Sequence, residues 1–156
     1  ESTRVNFITF NGNPKAKIWN PQLLDASKKN KDKANEYIKN LTAKYPPNSL
    51  EGGTNVWAGL EEGLKMKTLV YGDRDEQSVD EIFVVSDGAP SAGEVVDPLE
   101  ILNLVTETNR FAKIRLNTIF ITSPNDRDPR NLSLKPDEFM RRLAEQNGGR
   151  FLKIDG

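Results

Sequence analysis

The order of local signals predicts an α/β fold, with a mainly parallel sheet and one antiparallel hairpin. Three observations carry this. From Gly53 onward, helical and strand patterns alternate three times, the order of parallel strands joined by right-handed crossovers. EIFVVS over 81–86 is a short, nearly continuous apolar run, which suits a strand buried on both faces. RVNFITF over 4–10 alternates at period two and runs into Asn11-Gly12-Asn13-Pro14, a turn signal that predicts a hairpin. A chain of 156 residues, 36% hydrophobic and 29% charged, is long enough for a single domain, 1–156, with its own core.

The elements follow in order. The strand over 4–10 takes 16–19 as its second, shorter arm. Residues 28–44 form an amphipathic helix with one narrow apolar face of Ala34, Tyr37, Ile38 and Leu41, stopped by Pro46-Pro47. A second helix over 56–67 sets Val56, Leu60, Leu64 and Met66 mostly along one stripe, and Gly59 and Gly63 permit close approach at some cost in propensity. Residues 67–80 read as polar loop, and the strand 81–86 ends at Asp87-Gly88. Asp97-Pro98 reads as an N-cap with Pro at the first helical position, opening a helix over 99–111 with Ile101, Leu104 and Val105 on one side. A β-branched strand covers 114–122, and a long polar loop covers 125–134. Pro136 starts the last helix, with Phe139 and Leu143 at i, i+4; Gly148-Gly149 ends it, and 151–154 is the last strand.

Composition excludes several functions. Lys and Arg number 22 against 23 Asp and Glu, so a net charge of −1 supplies no global field for nucleic acid or an anionic membrane. No apolar run approaches the roughly 18 residues of a membrane span. With no cysteine and no histidine there are no thiol nucleophiles, no disulfides, no histidine acid–base chemistry and no zinc site of these residues, so any metal must sit among oxygens. The chain opens at Glu1 without methionine, which suggests processing or a piece of something longer.

In open α/β sheets, ligands bind beyond the carboxyl ends of the strands. Two loops there stand out: Gly52-Gly53-Thr54-Asn55, and Ser86-Asp87-Gly88-Ala89-Pro90-Ser91. A phosphate cradle is disfavoured, because EGGTN has neither the Walker spacing nor the GxGxxG order. Singly, each loop reads as a cap or an ordinary turn. Together they offer a hydroxyl, Thr54, and a carboxylate, Asp87, about thirty residues apart.

EGGTNVWAGL, EIFVVSDGAPSAGE, RLNTIFITS and FMRRLAEQNGGRFLKI, in this order, resemble a von Willebrand factor A-type domain from the first strand to the last residue. The resemblance implies a three-layer, Rossmann-like α/β fold with helices on both faces of the sheet. It also implies a divalent cation, usually Mg²⁺, held by three loops in a metal-ion-dependent adhesion site. By that resemblance Thr54 supplies the hydroxyl of the second loop and Asp87 the carboxylate of the third, with Asn55, Ser91 and Glu94 at the rim. Gly52-Gly53 then lets the backbone turn so that Thr54 faces the metal. Read as an exposed charge alone, Glu94 needs no such role. The implied function is a protein-binding, adhesion-type module within a larger protein, whose partner presents a carboxylate to the open coordination position.

The departure from the pattern is equally specific. The family's first loop, Asp-x-Ser-x-Ser, is nowhere in this chain, and RVNFITFNGNPKAKIW resembles the family's second and third strands. The expectation is an N-terminally incomplete domain, lacking the first strand, the first helix and that loop. One carboxylate and one hydroxyl make a weak Mg²⁺ site. The absent strand would lie between the hairpin and 81–86, supplied by upstream residues or by another chain, since two unpaired edges are poorly tolerated. Two other readings stay open: a structural domain with a defunct metal site, and a metal-dependent hydrolase using Asp87. Against the hydrolase stand the lack of a second carboxylate at convincing spacing, of histidine and of a nucleophile elbow.

Overall fold

The computed structural model describes residues 3–41, 52–65, 78–87, 89–122 and 132–156. Its elements are β1 (Arg4–Val5), β2 (Ile8–Thr9), β3 (Lys17–Ile18), β4 (Leu24–Asp25), α1 (Lys28–Lys39), α2 (Val56–Lys65), β5 (Glu81–Ser86), α3 (Pro98–Ala112), β6 (Arg115–Thr122), α4 (Pro136–Glu145) and β7 (Phe151–Asp155). The expected helix stop at Pro46-Pro47, the end of the second helix with Met66, most of the loop expected over 67–80, Gly88 and most of the loop at 125–134 lie outside the described residues.

The strand expected over 4–10 is interrupted. β2 pairs antiparallel with β3, Ile8 opposite Ile18, while β1 pairs with β4, Val5 opposite Leu24. Between them the Asn6 side chain replaces the ladder: its amide nitrogen donates to Asn20 O at 2.6 Å, and its oxygen accepts from Asn20 N at 3.2 Å. Trp19 N donates to Phe7 O at 2.8 Å, so the segments form one bulged ribbon. β4 was not expected, because a pairing through a bulge leaves no period-two signal.

α1 begins at Ser27, whose hydroxyl accepts from Asn30 N, and ends at Lys39, short of the expected 44. It meets the ribbon through Tyr37, whose ring lies 6.1 Å from that of Trp19 and whose hydroxyl is 3.3 Å from Thr9 Oγ1. α2 lies against the opposite face. A Cβ on Gly59 would stand 2.5 Å from the Phe10 ring, and one on Gly63 would stand 3.8 Å from Ile8 Cδ1. Since Thr9 and its neighbours Ile8 and Phe10 point to opposite sides of an extended chain, α1 and α2 cover opposite faces. Helices therefore occupy both faces of the ribbon, as the family resemblance implies.

β5, β6 and β7 form a parallel sheet in that order, with Val84 beside Thr118 and Ile119 beside Leu152. α2, α3 and α4 share a single core with the sheet: Val56, Leu60 and Leu64; Ile101, Leu102 and Val105; Phe139, Met140 and Leu143; and Val84, Leu116 and Phe120. The expectation that 81–86 is buried on both faces is corrected here. Phe83 is 62% exposed and Val85 49%, and Leu152 and Ile154 continue the same open face. The reason is that these three helices all lie on the Val84 side while α1 sits over the ribbon. Among the described residues, no ladder joins β2 to β5. α2 bridges them instead, with Gly63 approached by both Ile8 and Ile82.

Two local devices set the helix ends. Asp97 caps α3, accepting from Leu99 N at 3.0 Å and Glu100 N at 3.1 Å. The Ser133 hydroxyl and then the Glu100 and Leu99 amides hold its carboxyl below the usual aspartate range. At the other end Lys113 takes φ of 53°, and the buried Asn109 amide bonds both Ile114 N and Ile114 O at 2.7 Å, mimicking a strand partner. Asn109 also donates to Asn147 Oδ1 at 2.8 Å, tying the ends of α3 and α4 together. Gly149 lies so close to Leu116 O that no Cβ fits.

Candidate functional site

Three loops meet at the amino end of α2 and the carboxyl end of β5. Asn55 organises them from a buried position, 2% exposed. Its side-chain oxygen accepts from Ala58 N at 3.1 Å, the geometry of an N-cap on α2. Its amide nitrogen donates to Asn13 O at 3.0 Å, and its backbone N to Asn11 O at 2.9 Å, binding the turn after β2 to the start of the helix. Asn13 N in turn donates to Asn11 Oδ1 at 2.9 Å, which shapes that turn.

The segment after β5 closes the cluster. Asp87 follows the strand directly and is exposed, while Ala89 and Pro90 are buried and anchor what comes next. Ser91 Oγ accepts from Thr54 N at 2.7 Å, and Ser91 N donates to Thr54 O at 2.9 Å. Gly53 faces Ala92, whose Cβ would stand 2.7 Å from a Cβ added there. Gly93 has φ of 104° and lies against the Asn55 amide, where neither the conformation nor the space admits a side chain.

Of the residues singled out in the sequence, Thr54, Asn55 and Ser91 are thus joined in one cluster. Thr54 is half-buried, Ser91 and Glu94 are exposed, and Asn55 is a buried cap and loop tie. Asn11, Asn13 and Gly93 were not picked out. Asn11-Gly12-Asn13 carried a turn signal, but nothing local pointed to a partner 42 residues away.

A divalent cation fits the donor chemistry of this region and strains its number. Asp87 and Thr54 are hard oxygen donors on loops at the carboxyl edge, as Mg²⁺ prefers. Among the described residues no three of His, Cys, Asp and Glu come together, so water would complete the coordination. Asp87 and Thr54 would hold the ion, which would there supply an electrophilic position for an anionic group.

The family model described as von Willebrand factor type A domain matches residues 1–150. No curated protein matches the chain.

Proposed function

Because the chain belongs to the von Willebrand factor type A domain family, we propose that it binds its protein partner through a cation-assisted surface formed by Thr54 and Asp87. Domains of this family are in general protein-interaction modules rather than enzymes. Among the described residues no helix is long and apolar enough to cross a membrane. The observation that carries the reading is the clamp between Thr54 and Ser91, which keeps the loop bearing the hydroxyl against the loop that leaves β5 beside Asp87. Asn55 positions this loop, Ser91 and Glu94 stand at its rim, and a partner carboxylate would fill the open position on the ion.

Paramagnetic Mn²⁺ titrated into the ¹⁵N-labelled protein tests this. Selective broadening at 53–55 and 87, abolished by Asp87→Ala with the melting temperature nearly unchanged, is the expected result. A large loss of melting temperature in Asp87→Ala without metal would assign Asp87 to the scaffold. A second reading, a structural domain whose metal site is defunct, is favoured by the absence, among the described residues, of any group of three His, Cys, Asp or Glu side chains. Broadening without site selectivity would decide for it.

The partner reading extends to the sheet. Among the described residues β2 and β5 are not paired with each other, and α2 packs against both through Gly63, which Ile8 and Ile82 approach. A strand from outside this sequence, from upstream residues or from a second chain, would lie between them.

A further inference from the structure

We infer that Ser91 is a positioning residue for Thr54 rather than a contact for the ligand, an assignment that rests on reading Thr54 and Asp87 as the cation's ligands. Both backbone polar groups of Thr54 are held by this one residue. Thr54 N donates to Ser91 Oγ at 2.7 Å, and Thr54 O accepts from Ser91 N at 2.9 Å and, more weakly, from Ala92 N at 3.4 Å. A residue fixed at both its N–H and its C=O has little freedom left in φ and ψ, so the direction of its Cα–Cβ bond is set and the hydroxyl is left only its χ1 rotamers.

The neighbours extend the grip. Gly53 is pressed against Ala92, Gly93 against the Asn55 amide, and Asn55 caps α2. Residues 91–93 thus hold 53, 54 and 55 one by one. The same segment is anchored by buried Ala89 and Pro90, which keeps the clamp in place. Mg²⁺ demands near-ideal geometry, and a donor pair loosened by a fraction of an ångström binds it less well. The Ser91 hydroxyl is the removable part of the clamp. In Ser91→Ala the bond from residue 91 N to Thr54 O stays, and the Thr54 N–H loses its acceptor.

Two readouts on the same samples test the assignment: amide hydrogen exchange of Thr54 without metal, and the Mn²⁺ concentration that half-broadens the resonances around 54 and 87. In Ser91→Ala we expect Thr54 exchange to accelerate and the Mn²⁺ midpoint to rise, each by about five- to tenfold, the worth of one hydrogen bond. Ser91→Thr, which keeps the hydroxyl, should restore both, and the melting temperature should hardly move. A raised Mn²⁺ midpoint with unchanged Thr54 exchange would overturn the assignment, since Ser91 would then act on the ion directly. An unchanged midpoint, with Asp87→Ala and Thr54→Ala abolishing broadening, would overturn it while leaving the cation reading intact. Absence of selective broadening in the unsubstituted protein would overturn both.

Discussion

Asn55 divides one amide between two tasks, capping α2 at Ala58 N and holding the Asn13 carbonyl. Asn55→Ala removes both and leaves buried groups unpaired, so urea denaturation should register a loss of about 2 kcal/mol. Asn55→Asp keeps the capping oxygen and gives up the donor, and should recover part of that loss. The capping role is visible in the sequence as a polar residue before an apolar helical stripe; the second role is not, since the turn it binds is remote in the chain. Asp97 is the local case: its cap on α3 is legible from Asp97-Pro98, though its bond with Ser133 is not. Its carboxyl, held low by Ser133 and the first amides of α3, binds its proton less readily folded than unfolded. Its contribution is therefore present above the ordinary aspartate value of about 3.9 and lost as pH falls through the lowered folded value. Melting curves taken from pH 6 downward should show this loss, and Asp97→Asn should flatten it.

Among the elements, α2 carries the most consequence. Its glycines lower helix propensity, yet each marks a close approach: Gly59 to the Phe10 ring and Gly63 to Ile82. Gly59→Ala gains about 1 kcal/mol in helix propensity. It also places a methyl 2.5 Å from an aromatic carbon, so the ring must move. The expected net result is destabilisation and a shifted Phe10 environment, checked by denaturation and by the Phe10 ring resonances. The helices were legible because an apolar stripe repeats along each, and the three parallel strands because each is a short apolar or β-branched run between turn signals. The ribbon was legible only in part. Asn6 breaks the alternation by taking the place of a backbone pair, and a side chain doing a backbone's work has no periodic signature. The single buried face of β5 escaped for another reason: a nearly continuous apolar run records what a strand can cover, not which helices arrive to cover it.

At the scale of the molecule, the open face formed by Phe83, Val85, Leu152 and Ile154 has the widest consequence. An exposed apolar patch favours association, so sedimentation of these 156 residues alone should reveal species larger than a monomer. Charged substitutions at Phe83 and Leu152, which are exposed, should restore the monomer with little loss of stability; a monomeric unsubstituted chain would contradict this. The bridging by α2 also bears on the order of assembly. β5, α3, β6, α4 and β7 pair with neighbours in chain order, and joining the ribbon to them is a separate event that waits on α2. Both tryptophans lie on the waiting side, Trp19 in the ribbon beside Tyr37 and Trp57 in α2. In stopped-flow refolding, far-ultraviolet dichroism should thus recover first and tryptophan emission lag behind it, which makes two naturally occurring fluorophores a clock for the docking step.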